Sequence, residues 1–167
     1  RARGIYYPPL VNSSPVKNDV CIAKDCVITG PNASGKTTIL KSVLLSIIFT
    51  QQYGCGFYNK LTITPYTHLH CYLNVPDTSG RDSLFQSESR KCKRILDKVA
   101  ASPPSQRHFC LFDELYSGTN PTEAVKCGFA YLSHLGKAPN LHYILTTHYL
   151  DLCDRLKPLK TVCNYRM

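Results

Sequence analysis

Gly30-Pro31-Asn32-Ala33-Ser34-Gly35-Lys36-Thr37 has two glycines framing four residues, followed by a Lys-Thr pair. That spacing is the signature of a loop that cradles phosphate. Glycines let the backbone curl so that the N–H groups of Ala33 to Thr37 turn inward on an anion, and the start of the next helix adds partial positive charge. Lys36 is expected to reach the β- and γ-phosphates of a nucleoside triphosphate. The Thr37 hydroxyl is expected to bind Mg2+, with Thr38 beside it. An ordinary glycine-rich turn is the bland alternative. At average glycine usage, a chance match somewhere in a chain this long is on the order of one per cent.

Phe109-Cys110-Leu111-Phe112 is an apolar run that ends in two adjacent carboxylates, Asp113 and Glu114. Carrying unpaired charge to the end of a buried strand is costly, which favours a metal or proton role over a bare surface pair. The two acids suit different tasks. Asp113 would hold Mg2+, directly or through water, and Glu114 would orient and deprotonate an attacking water. A third apolar run, His142 to Thr146, leads to Thr147 and His148. A lone histidine is more often structural, but at the end of a third strand on the same edge His148 could donate a hydrogen bond to a γ-phosphate.

These groups meet only if the strands that carry them are parallel neighbours. Cys26 to Thr29 reads as a buried strand stopped by Gly30-Pro31, and Thr37 to Gln52 as a helix apolar on nearly all sides and therefore buried against a sheet. Ser83 to about Ala101 reads as a polar helix ended by Ser102-Pro103-Pro104. Asn120-Pro121 with Glu123 reads as a cap, a first-turn proline and a carboxylate reaching back to the cap, for a helix running to about Leu135. Strands alternating with helices imply a largely parallel sheet covered by helices, and in such sheets ligands bind at the carboxyl ends of the strands. Residues 57–82, with β-prone Leu61 to Thr64 and Leu69 to Val75 broken by Pro65, Pro76 and Gly80, suggest a small additional β region. Residues 1–18, rich in Pro, Asn and Ser, read as an irregular lead-in, and residues 19–167 as one domain.

Composition narrows the class. A chain of 167 residues, 43% of them hydrophobic, buries one substantial core. The net charge of +9 favours anionic partners without choosing among them. The densest basic run, Arg90, Lys91, Lys93 and Arg94, spreads around a helix and reads as a solvated face more readily than as a DNA contact. Nine cysteines without a CxxC pair suit reduced thiols, hence an intracellular, soluble protein, a piece of something larger. The longest apolar run, Ile39 to Phe49, is interrupted by Lys41 and two serines and is too short for the roughly 20 residues that cross a bilayer. His68-Leu69-His70-Cys71 reads as strand alternation rather than a metal site.

Taken in order, the phosphate loop, Asp82 to Glu88, Asp113-Glu114 with Ser117-Gly118-Thr119, and Thr147-His148-Tyr149 resemble the MutS family of DNA mismatch-repair ATPases over nearly all of residues 15–167. The resemblance implies an ABC-type P-loop NTPase fold and Mg2+-dependent ATP hydrolysis in a dimer, homo- or heteromeric. Mismatched double-stranded DNA would be engaged by domains absent from this chain. It further implies that Ser83 touches the γ-phosphate bound by the partner subunit, that Ser117 to Asn120 form the loop crossing to that partner, and that Val16 and Asn18 lie near the adenine. The sequence departs from the family at Ala33-Ser34, where Met-Gly is usual, and at Leu84, where threonine is common. Ser117 and Asn120-Pro121 replace an Arg and a Ser-Thr, a pattern closer to divergent relatives that include those of large DNA viruses. A transporter-type ABC subunit would share the loop and the histidine but should carry a Leu-Ser-Gly-Gly-Gln signature, which is missing. A nucleotide-gated scaffold without turnover would not need Glu114.

Overall fold

The computed structural model describes residues 1–73 and 83–167; the expected features at Val75, Pro76, Gly80 and Asp82 lie outside the described residues. Five strands, β3 (Asp25–Thr29), β5 (His68–Tyr72), β6 (His108–Asp113), β7 (Leu141–Thr147) and β8 (Val162–Arg166), form a parallel sheet in the order β5-β6-β7-β3-β8. The three central strands read as unbroken apolar runs because both faces of the sheet are covered. Alternate residues go to opposite layers. Val27, Cys110, Phe112, Tyr143 and Leu145 pack with the helices α2 (Leu84–Ala101), α3 (Pro121–Leu135) and α4 (Leu150–Leu156). Cys26, Ile28, Phe109, Leu111 and Ile144 pack with Leu40, Val43 and Ile47 of α1 (Lys36–Tyr53).

A second, three-stranded antiparallel sheet closes over α1, in the order β2 (Asn18–Val20), β1 (Ala2–Ile5), β4 (Lys60–Leu61). The expected extra antiparallel region therefore exists, but it is built largely from the segment read as irregular. Ala2–Ile5 is a strand whose Gly4, at φ +63°, donates its N–H to Asp19 Oδ1 at 2.9 Å. Pro8–Ser13 is a short 3-10 helix. Of the β-prone stretches at 57–82, Leu61 pairs with Ala2, whereas His68–Tyr72 joins the edge of the parallel sheet. Sandwiched between two sheets, α1 needs apolar residues on more than one side, which explains its lack of a polar face.

The imidazoles of His68 and His70 each stack on that of His108, with His70 Nε2 3.0 Å from His108 Nδ1. Burial holds His70 down at about 4. The basic run lies on α2, where Lys93 reaches Asp97 at 3.8 Å and Lys91 lies over the Tyr72 ring. Among the described residues no helix is long and apolar enough to cross a membrane.

Asp25, at the amino end of β3, is buried and accepts the Tyr143 N–H at 3.1 Å. Burial pushes its carboxyl up to about 6 from the usual 3.8. A raised acid favours the folded state fully below the unfolded value and loses that advantage as pH rises through the folded one, here across roughly pH 4 to 6. At about 1.4 kcal/mol per pH unit, the buried charge costs up to about 3 kcal/mol above that window. Asp25→Asn keeps the acceptor and removes the charge. In chemical denaturation at pH 8 the variant should be more stable by about 1–3 kcal/mol, the difference vanishing near pH 4. Superimposable pH profiles would refute the account.

Candidate nucleotide site

β3, β7 and β6 are adjacent and parallel, so the segments that follow them emerge on one edge of the sheet. Thr29 lies opposite Thr147, and Thr146 opposite Asp113. The order of strands thus brings the phosphate-loop segment, the Asp-Glu pair and His148 together, although in sequence they are spread from residue 30 to residue 148. The Thr37 hydroxyl donates to Asp113 Oδ2 at 2.8 Å, tying the first turn of α1 to the end of β6. Thr146 Oγ1 donates to the other carboxylate oxygen at 2.5 Å. Both oxygens of Asp113 are therefore held by hydroxyls on flanking elements.

An open cleft of about 340 Å³ is lined by Asn32, Ala33, Gly35, Lys36, Thr37, Thr38 and Glu114. The loop around it is tightly folded. Ser34 donates its N–H to Pro31 O at 3.3 Å, so this amide is used within the loop instead of pointing at a ligand as the spacing predicts. Gly35 sits at φ +95°, and Ala33 takes a left-handed φ of +62° despite its Cβ. Gly30 is the tighter of the loop's two glycines: a Cβ there would come within 2.9 Å of Ser34 Oγ. Lys36 is buried, and its ammonium donates to Gly30 O and Pro31 O at 2.9 Å each. To reach phosphate oxygens its head must exchange those two carbonyls.

Glu114 is at φ +54° and Tyr116 at φ +59°, two left-handed residues in three positions. The reversal buries Leu115 and Tyr116 while Glu114 borders the cleft. Backbone held in such sparsely populated regions persists only where its surroundings dictate it, and it concentrates at functional sites. His148 Nδ1 stands 3.3 Å from Glu114 Oε1, and both side chains are partly exposed. The histidine does not line the phosphate-loop cleft itself. It reaches the cleft through Glu114 and borders a neighbouring depression with Pro121, Thr122, Val125, Tyr149, Leu150 and Asp151.

The remaining expected residues fall elsewhere. Asn18 lines an apolar pocket of about 230 Å³ with Ile28, Ile39, Tyr165 and Met167, and Met167 also lies against Gly30. Val16 is exposed and outside that pocket's lining; its carbonyl accepts the Asn18 side-chain amide at 3.3 Å. Ser83 caps α2 in a reciprocal box, taking the Gln86 N–H on its hydroxyl while Gln86 Oε1 takes the Ser83 N–H. Ser117, Gly118, Thr119 and Asn120 form the turn into α3. Asn120 caps the helix as expected, but Glu123 bonds to the Thr119 hydroxyl at 2.5 Å and not back to the cap N–H. Neither Ser83 nor this turn lines the cleft beside Lys36 of its own chain. They form a second locus, because a Cβ on Gly118 would lie 2.7–2.8 Å from Leu84 side-chain atoms and 2.8 Å from the Phe85 nitrogen.

Two site residues were not singled out by sequence reasoning. Thr146 holds Asp113, which the strand register alone determines. Glu88, buried in α2, closes the Asp82-to-Glu88 run that resembles the family, but the sequence assigns it no role: it accepts the Ser117 N–H and hydroxyl, each at 3.0 Å, and the Gly118 N–H at 3.1 Å.

Residues 26–167 match the family described as MutS domain V. The chain is 32% identical over 154 residues to a protein named Endonuclease MutS2 from Halothermothrix orenii, covering 86% of the chain and 18% of that relative. It is 30% identical over 159 residues to an Endonuclease MutS2 from Staphylococcus aureus, covering 90% of the chain and 20% of that relative. The chain thus spans about a fifth of the length of these curated relatives. An α/β P-loop domain with its phosphate loop, paired acids and histidine on one sheet edge, and a family match that takes in all of those residues, lead to one conclusion: the chain belongs to the MutS family, as its domain V.

Proposed function

We propose that this domain binds ATP with Mg2+ and hydrolyses it, working in a pair of such domains and coupled to DNA repair through parts of the polypeptide beyond this chain. One observation carries the reading: the 2.8 Å contact between Thr37 Oγ1 and Asp113 Oδ2 at the mouth of the phosphate loop. Neighbouring oxygens around an octahedral magnesium with bonds of 2.0–2.1 Å lie about 2.9 Å apart. These two residues therefore fit the ion with little rearrangement, and bound Mg2+ would neutralise charge on the β- and γ-phosphates. Lys36 exchanges the Gly30 and Pro31 carbonyls for phosphate oxygens. Glu114 takes a proton from the attacking water as that water adds to the γ-phosphorus and the bond to the β-γ bridging oxygen breaks, giving ADP and phosphate.

His148 completes the site with a constraint from its own chemistry. A neutral ring that gives its Nδ1–H to Glu114 presents an acceptor at Nε2, so donating to a phosphate from Nε2 requires a second proton or release from Glu114. Ser83 and Ser117 to Asn120, which do not line their own chain's cleft, serve the cleft of a second copy. The Ser83 hydroxyl, already accepting from Gln86 N, still has its hydrogen to donate to a phosphate oxygen. The matched relatives are named endonucleases, and the reading assigns this domain the nucleotide step of DNA processing, whether the coupled outcome is mismatch repair or another repair reaction.

The reading is tested by following phosphate release from Mg-ATP while protein concentration is varied through the dimerisation range. Turnover per subunit should rise with concentration and saturate, and chelating divalent cations with EDTA should abolish it. No ATP binding at millimolar nucleotide with Mg2+ present would sink the proposal.

A further inference from the structure

Glu88 is a carboxylate with 1% relative exposure, held by three donors from one loop: the Ser117 N–H, the Ser117 hydroxyl and the Gly118 N–H. It sits on α2 one turn beyond the reciprocal cap formed by Ser83 and Gln86. The same loop is pressed onto the beginning of that helix, since the space a Gly118 side chain would need is filled by Leu84 and the Phe85 nitrogen. Past the clamp, the loop continues into its own capped helix start at Asn120, where Glu123 N donates to Asn120 Oδ1 at 3.0 Å. Two segments some thirty residues apart are therefore locked into one body, with Ser83, Ser117 and Asn120 on its exposed side.

We infer that Glu88 is a positioning residue: its buried carboxylate fixes the 117–120 loop against the amino end of α2, so that Ser83 and the loop meet the nucleotide cleft of a second copy as a single preformed surface. The inference rests on the two-copy reading proposed above. Holding both groups in one geometry before association removes the ordering cost that two independent loops would carry into the dimer. A carboxylate is required because three donors converge on it, two on Oε1 and one on Oε2. A glutamine in the same place has one acceptor oxygen, and its amide hydrogens would face an N–H.

The test uses the full-length dimeric protein with Glu88→Gln and, in case the loop tolerates the amide, Ser117→Ala combined with it. Three measurements are made. Thermal melting reports folding. Hydrogen exchange without nucleotide should show faster exchange at the Ser117 and Gly118 amides in the variants. Phosphate release is then followed in mixed dimers where one subunit carries Lys36→Ala, which confines turnover to the other subunit's cleft. Placing Glu88→Gln in the Lys36→Ala subunit should lower turnover at the intact cleft of the partner at least tenfold, with fluorescent ATP analogue affinity there changed less than threefold. Placing Glu88→Gln in the turning-over subunit should have a much smaller effect. Unchanged exchange at 117 and 118, or a defect confined to the variant's own cleft, overturns the inference while leaving the hydrolysis reading intact. A wild-type protein that does not turn over ATP overturns that reading, and the trans role of Glu88 with it.

Discussion

Glu114→Gln should bind ATP with an affinity within about threefold of wild type and turn it over 10² to 10⁴ times more slowly, the range set by removing a positioned general base. The substitution is nearly isosteric. It leaves Thr37, Asp113 and the Lys36 ammonium untouched, so the groups proposed to hold the triphosphate remain, while the amide cannot take the proton of the attacking water. The left-handed backbone at Glu114 makes the position sensitive to bulk but not to this exchange, because glutamine has the same branching. The His148 contact changes in kind, since a ring hydrogen on Nδ1 can still be given to the amide oxygen. ATP-loaded dimers should accumulate, seen as a slower-dissociating species by size-exclusion chromatography with light scattering. Equal loss of binding and turnover would mean that Glu114 holds nucleotide, and wild-type turnover in the variant would remove it from the chemistry.

What the sequence could disclose here followed from locality. The phosphate loop is eight consecutive residues whose spacing has a geometric cause, and the strands at 26–29, 108–113 and 141–147 are doubly buried, so each reads as a continuous apolar run. Parallel pairing then dictates that Lys36, Asp113 and His148 emerge on one edge. Positions fixed by tertiary context were hidden. Residues 2–5 look like an irregular lead-in because a four-residue strand close to two prolines has no periodicity to display, and its strand character comes from pairing on both sides, with residues 18–20 and 60–61. Glu88 stands at the end of a run that resembles the family, yet its role does not show in the sequence, since its partners lie 29 and 30 positions away. Lys36 also differs from the plain expectation. Its spacing predicts a phosphate ligand, whereas the side chain is folded onto the carbonyls of its own loop.

That folded-back lysine gives the second large effect a sign that a simple loss-of-contact argument would miss. Lys36→Met should weaken Mg-ATP binding by roughly 10- to 10²-fold, since a hydrogen bond to a charged partner contributes about 1.5–3 kcal/mol and Lys36 is the one cationic side chain within residues 30–37. The folded domain without nucleotide should be destabilised little, or become more stable. Burying the ammonium at 6% exposure incurs desolvation that two neutral carbonyls offset only in part, and methionine fills a similar volume without the charge. Lys36 itself lines an open cleft, and Gly30 and Pro31 are not buried, so water can replace the lost donor at their carbonyls. Calorimetric titration with Mg-ATP alongside thermal melting separates the two consequences. A variant that melts well below wild type while retaining ATP affinity would reverse the assignment, making Lys36 a brace for the loop and leaving the phosphates to the backbone amides and Mg2+.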